Sequence, residues 1–308
     1  MNNAIPIRRL GTLACDIVEA NPIVFEGKLW LMEYFRNRIN PADSDNSPYA
    51  FFRFRSLENP NVFSKPFAHG LHMGNAFAAP DGRLIVTAVE GWGKSRFYQL
   101  ESTDMVHWSE PRVILEDPAW EGYNTSVCQA DGRFVLVFEL GKPEALVGEP
   151  FTMFFAESRD LKTWRVIPDA VFGRDIYTGA PMLRFHGGFF YFFHLEGSYE
   201  KGFVTTVARS KDLRNWERAR RSVMERSRDD REILPAVARY FSPEQLVKIA
   251  SAVNINVSDL DMCDYGGKLQ MCYSWGNQRG TEFLALAEAD CTEREFCESF
   301  FEQGMTSR

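Results

Sequence analysis

Long apolar runs are missing from this sequence. The most apolar stretch, residues 189–193, falls far short of the roughly 20 residues a membrane helix needs, so no membrane partner is expected. An excess of basic charge is missing too. The formal net charge is -7 and the sequence pI is near 5.4, which argues against a nucleic-acid partner held by counterion release and suits a neutral ligand better. Residues 1–10 hold two arginines but no apolar segment and no small-residue cleavage site. No secretory signal is expected there, and a cytoplasmic location is. The six cysteines (Cys15, Cys128, Cys263, Cys272, Cys291, Cys297) form no CxxC pair and no zinc spacing. Reduced thiols buried in strands are expected, with Cys263 and Cys272 the one pair placed to face each other across a hairpin. HExxH, GxSxG, P-loop and Rossmann patterns are all absent, and His69 with His72 in HGLHMGN is too thin a basis for a metal site.

What is present repeats. A Ser-x-Asp-x-x-x-Trp signature occurs at Ser102, Asp104 and Trp108, at Ser158, Asp160 and Trp164, and at Ser210, Asp212 and Trp216. Each copy follows an alternating aromatic strand, and Ser with Asp bonds nearby backbone N–H groups, so it reads as a hairpin between outer strands with the Trp packed. A second repeat places a turn glycine between two apolar stretches, at Gly27, Gly82, Gly132, Gly188 and Gly267. Five hairpins predict five blades. The glycine spacings are 55, 50, 56 and 79 residues, the size of a four-stranded blade except for the last. There Ser242-Pro243-Glu244-Gln245 opens a capped helix running to about Ala252, a short helical insertion between blades four and five. The pattern predicts an all-β five-bladed β-propeller, one domain over residues 1–308; a β-sandwich also uses short strands but lacks a recurring four-strand unit.

In a propeller the start of each innermost strand and the end of the next lie at one mouth of the channel. Eight residues before the turn glycines stand Glu19, Gly74, Asn124, Ala180 and Asp259, while second strands end at Glu33, Glu90, Glu139 and Glu196. Carboxylates converging there repel one another, which raises some pKa values and separates a protonated acid from an ionised base, the pairing that glycoside hydrolysis needs. Glu19 or Asp259 is the expected base or nucleophile, and Glu139 or Glu196 the expected acid. Rings and amides beside them suit a sugar, with Asn21, Trp92, Asn124, Tyr177, Trp275 and Asn277 as candidate substrate-binding residues. Alternation puts Asp259 and Asp261 on one side of their strand, near Glu19. At least one of the three is expected to have a raised pKa or to contact a cation. No cofactor is expected; a structural cation in the channel is left open.

The five hairpins and the Ser-x-Asp-x-x-x-Trp turns resemble the five-bladed propeller superfamily of glycoside hydrolase families 43, 32, 117 and 130. The stretches VEANPIVF, YNTSVC, NINVSDLD and YSWGNQRGTEFLA resemble a bacterial glycoside-hydrolase-like branch. In family 43 an Asp-Pro on the first blade carries the base and a Glu-Gly-Pro on the fourth carries the acid. This sequence departs from both: it has Asn21-Pro22 with Glu19 two residues earlier, and Thr178-Gly179-Ala180-Pro181 with Gly179 in the acid's place. The resemblance therefore implies fold and a small carbohydrate partner, and family 43 chemistry is not carried over by position. A glycosidase is the first expectation; a non-catalytic carbohydrate-binding propeller follows from the missing signatures. A glycoside phosphorylase would need Arg36, Lys94, Lys142 and Arg279 as a basic pocket. Oligomeric state is left open.

Overall fold

A computed structural model describes residues 5–36, 46–149 and 151–301; the expected domain limits at Met1 and Arg308 lie outside them. After β1 (Arg8–Cys15), the first blade comprises β2 (Val18–Phe25), β3 (Lys28–Phe35) and β4 (Phe51–Ser56). The second is β5 (His72–Ala78), β6 (Leu84–Val89), β7 (Arg96–Ser102) and β8 (Arg112–Glu116), and the third is β9 (Glu121–Ala130), β10 (Arg133–Lys142), β11 (Thr152–Ser158) and β12 (Arg165–Phe172). The fourth is β13 (Thr178–His186), β14 (Phe189–Ser198), β15 (Gly202–Ser210) and β16 (Trp216–Arg218). Then come α1 (Pro243–Ser251) and the fifth blade, β17 (Asn256–Tyr265), β18 (Lys268–Gly276) and β19 (Glu282–Ala289), followed by α2 (Glu293–Glu298). The chain is a five-bladed β-propeller.

Each blade is a meander because its strands are joined by short turns, and glycine makes the innermost turn tight: Gly27, Gly132, Gly188 and Gly267 all have φ between 71° and 78°. The outer hairpins follow the Ser-x-Asp pattern. Ser102 Oγ accepts from the N–H groups of Asp104 and Met105, and Asp104 Oδ1 accepts from Val106 and His107, with the same bonds repeated around Asp160 and Asp212. The repeated tryptophans pack: Trp108 stacks on Phe67 with centroids 4.0 Å apart, Trp164 Nε1 donates to Gln99 Oε1, and Trp216 Nε1 donates to the Val171 carbonyl.

Two features carry no local sequence signal. β1 pairs with β19, so the amino-terminal strand supplies the outermost strand of the last blade and closes the ring. The closure is latched by Asp230, which is fully buried and accepts from Arg9 Nε at 2.9 Å, Tyr273 Oη at 2.9 Å, Asn254 Nδ2 at 2.8 Å and the Ser227 N–H at 2.8 Å. In the first blade the fourth position is filled by the segment reaching Phe67, bridged to β4 through Phe52–Phe67 and Arg55–Phe63. The helix is where expected: Ser242 caps α1 and exchanges bonds with Gln245. Cys263 and Cys272 do not oppose each other, since Cys263 lies across from Gln270 and Cys272 from Asp261; both are free.

Candidate functional site

The innermost strands β2, β5, β9, β13 and β17 ring the channel, and each carries an irregularity near the same mouth. The register shifts between Val18 and Asn21, His72 and Asn75, Gly179 and Met182, and Ser258 and Asp261, and opposite β9 between Phe138 and Leu140. Glu19, Met73, Ala180 and Asp259 sit in these bulges with φ between 48° and 54°. A bulge re-aims a side chain at the cost of strain in a non-glycine residue, and such strain collects at functional sites. The five positions expected at the mouth, Glu19, Gly74, Asn124, Ala180 and Asp259, all line a neck of about 30 Å³. Gly74 has no freedom to be larger, because a Cβ there would lie 2.7 Å from the Phe52 ring.

Above the neck the channel opens into a cavity of about 1020 Å³, to which Glu19, Asn124, Ala180 and Asp259 also contribute. Its lining is divided. Trp92, Phe151, Tyr177 and Tyr199 form an aromatic side, while Asp16, Glu19, Arg36, Lys248, Asp259, Arg279 and Glu282 form a charged one. Trp92 is 46% exposed and meets Tyr123 edge-on at 4.8 Å, so a ring face is offered to a ligand. Burial pushes the Tyr177 hydroxyl up to about 12, leaving it a donor at any physiological pH.

Glu139 is the distinctive carboxyl. It extends from β10 opposite the β9 bulge, is almost completely buried, and accepts from the Ala180 N–H at 3.2 Å and weakly from Asn124 Nδ2 at 3.4 Å. Desolvation pushes its pKa up to about 8, with the Asp259 charge adding in the same direction against those two bonds. It ends beside Gly179: a Cβ there would lie 3.8 Å from Glu139 Oε2, an ordinary contact distance. Asp259 is buried as well and desolvation raises its pKa; Ser258 Oγ donates to it at 2.8 Å, and Arg36 and Glu282, themselves paired at 2.6 Å, exert opposing charges on it. Glu19 is half-buried and borders both neck and cavity.

Asp261 does not share the cavity with Asp259. The bulge after Ser258 breaks strict alternation: both carboxyls border the neck, but Asp261 pairs with Arg184 from blade four and accepts from Asn75 Nδ2 at 3.0 Å. Its cationic partner is therefore a guanidinium. Arg184 is in turn held protonated by Asp261 and by Glu293 at 3.0 Å, beneath the neck, where the opposite mouth opens. Among the described residues no group of three or more His, Cys, Asp or Glu is placed to hold a metal.

Four expected residues fall elsewhere. Glu196 is outside the cavity lining: Leu195 takes that side of β14, and alternation turns Glu196 beside buried His194, 3.6 Å away, whose hydrogen bond lowers the Glu196 pKa, the wrong direction for an acid. Trp275 is fully buried, stacked on Phe283 at 4.3 Å with Nε1 donating to Thr12 Oγ1, and Asn277 Oδ1 accepts from the N–H groups of Arg279 and Thr281 to shape its loop. Asn21 faces the opposite mouth and clamps the Ala76 backbone through two 3.0 Å bonds, joining blades one and two. Of the other strand-end acids, Glu33 is buried against Arg53 and Arg55 and Glu90 is exposed. Tyr199, in the loop Gly197-Ser198-Tyr199 expected on this face, does line the cavity; Asp16 and Glu282 are not singled out by the sequence, and Glu282 opens β19, a strand the mouth rule does not reach.

No family model matches the chain, and no curated protein matches it. Solved structures do. The chain is similar to the BT0996 RGII complex at TM-score 0.60 and 15% identity, over 92% of each chain. A thermostable family-43 glycoside hydrolase is similar at TM-score 0.59 and 9% identity over 89% of each chain, and an alpha-L-arabinofuranosidase from Lactobacillus brevis at 0.59 and 9% over 90% of this chain and 91% of that one. At these identities the shared property is the fold, which is that of the glycoside hydrolase propellers. Among the described residues no helix is long and apolar enough to cross a membrane.

Proposed function

We propose that the chain is a glycosidase in which Glu139 is the general acid and Glu19 the ionised carboxylate on the other side of the scissile bond. The observation that carries this is Glu139 itself, a buried carboxyl with a pKa of about 8 in the wall of a cavity that is aromatic on one side and charged on the other. A group kept protonated near neutral pH can give its proton to the departing glycosidic oxygen. Glu19, half-buried at the cavity edge, has the water access that an ionised partner needs, whereas burial of Asp259 works against its charged form. Asp259 then serves as a hydrogen-bond partner for a sugar hydroxyl, and burial alone is enough to keep Glu139 protonated. The fold shared with glycoside hydrolases supports a carbohydrate substrate. Phosphorolysis has less support, because Arg36, Lys248 and Lys142 are each already paired with a carboxylate.

Nitrophenyl glycosides and plant or algal oligosaccharides provide the test. Glu139→Gln should lose on the order of a hundredfold or more on natural linkages but far less on a dinitrophenyl glycoside, whose leaving group needs no proton. Glu19→Gln should lose both activities and recover in part with azide. A well-folded wild-type protein that turns over none of these substrates refutes the proposal; sugar affinity without any rate would instead identify a non-catalytic binder.

A further inference from the structure

Of the cations around the cavity, Arg36 is paired with Glu282 and Lys248 with Asp16, while Arg279 pairs with no carboxylate among the described residues. Arg279 is also held in place. Its guanidinium carbon lies 4.6 Å from the centroid of the Tyr199 ring, and its backbone N–H donates to Asn277 Oδ1 at 2.8 Å. The Tyr199 hydroxyl donates to the Gln278 carbonyl at 3.3 Å, which ties the blade-four loop to the blade-five loop. Gln278 Nε2 donates inward to Ser258 Oγ at 3.3 Å, next to Asn256. Asn256 is 1% exposed and lines the cavity, and its Oδ1 has no hydrogen-bond partner although Nδ2 donates to Ser258. A buried acceptor without a partner, on a residue that lines the cavity, is costly unless a hydroxyl fills it.

We infer that Tyr199, Arg279 and Asn256 form a subsite for an acidic sugar, with Arg279 taking the carboxylate of a uronic acid and Asn256 Oδ1 accepting from a hydroxyl of the same ring. The assignment rests on the mouth being a carbohydrate site and names its substrate class. Stacking on Tyr199 leaves the edge of the guanidinium fork open, and that planar edge matches a carboxylate with two parallel N–H···O bonds. A phosphate dianion fits less well. It needs several uncommitted cations, and the same cavity presents Glu19 and Glu282, which repel a second negative charge.

The test is binding, so it does not depend on turnover. Calorimetry on Glu139→Gln protein would compare glucuronate- and galacturonate-capped disaccharides with the same disaccharides after reduction of the carboxyl to a primary alcohol. At least one acidic member should bind about tenfold or more tightly than its neutral partner, with the preference falling as salt rises. Arg279→Ala should abolish the preference for the acidic member over its neutral partner, and Arg279→Lys should restore only part of it. Equal binding of acidic and neutral members, no binding of either, or a preference that survives Arg279→Ala overturns the subsite. So does displacement by millimolar inorganic phosphate with no uronate preference, which would assign Arg279 to phosphate. Failure of the wild type to cleave glycosides would leave this readout intact, separating the two proposals.

Discussion

Replacing Glu139 with Gln should make the protein more stable at neutral pH while destroying activity. In the unfolded chain the carboxyl titrates near its ordinary value of 4.5, and in the fold at about 8. A raised folded pKa means that the fold binds the extra proton: the contribution is fully present below pH 4.5 and is lost as pH rises through 8. Across that window stability falls by about 1.4 kcal/mol per pH unit, so keeping a glutamate in this place costs about 3 kcal/mol at pH 7 and about 5 kcal/mol above pH 8. Glutamine has the same shape and no proton to lose. With its oxygen in the Oε2 place it still accepts from both the Ala180 N–H and Asn124 Nδ2. For 308 residues at about 2.1 cal/mol/K each, 1 kcal/mol is worth about 1.5 °C, so Glu139→Gln should raise Tm by about 5 °C at pH 7 and by almost nothing at pH 4.5. Urea unfolding of wild type and variant from pH 4.5 to 9 measures the difference directly. Parallel pH dependences would refute the buried, protonated Glu139 and with it the acid assignment. In the active enzyme the same pKa should appear as a loss of rate above about pH 8.

Other substitutions sort structural groups from functional ones. Asp230→Ala strips four donors of their acceptor beside β1 and should cost about 3–5 kcal/mol, visible as a large fall in the urea midpoint without any gain at neutral pH. Arg184→Met leaves Asp261 and Glu293 buried without their cation and should cost a similar amount at pH 7, less at pH 4, where carboxyls can take up protons; chemical denaturation at the two pH values checks it. Trp92→Ala should weaken oligosaccharide binding about tenfold or more with little change in Tm, and Trp275→Ala should cost about 3–5 kcal/mol of stability. Calorimetry and thermal melts on both variants check the contrast.

The blade count was legible because it depends on local chemistry repeated in the chain. Turn glycines, Ser-x-Asp hairpins and a capped helix each specify structure within a few residues, and five copies reinforce one another. What joins the first strand to the last was not legible, since β1 and β19 are separated by nearly the whole sequence and β1 carries no turn motif. The mouth was legible as a set of positions but less so as a set of side chains. Counting back from the turns found the ring of Glu19, Gly74, Asn124, Ala180 and Asp259, because the hairpins fix how far each strand reaches. Counting forward to strand ends gave Glu33, Glu90, Glu139 and Glu196, of which only Glu139 lines the cavity. A strand end fixes height along the channel, but facing follows the local alternation, and a single residue more or less reverses it. Trp275 failed for the same reason.

Bulges help decide which side chains of this chain reach the mouth. In a regular strand the residue before a channel-facing one points into the blade, where Glu19 and Asp259 would be buried among apolar neighbours. The left-handed Glu19 and Asp259 in their bulges border the opening, and the strain of φ near 50° is tolerated because the paired strands on either side hold it. On β13 the same bulge presents Gly179 and Ala180, which carry no carboxyl and leave room for Glu139 to arrive from the adjacent blade. A Cβ on Gly179 would lie 3.8 Å from Glu139 Oε2, so a carboxyl carried by either position reaches the same part of the cavity. The double substitution Gly179→Glu with Glu139→Ala should therefore keep more activity than Glu139→Ala alone, because the new carboxyl starts beside the vacated place. Turnover of the double variant no higher than that of the single one would show that the two positions do not serve one chemical role.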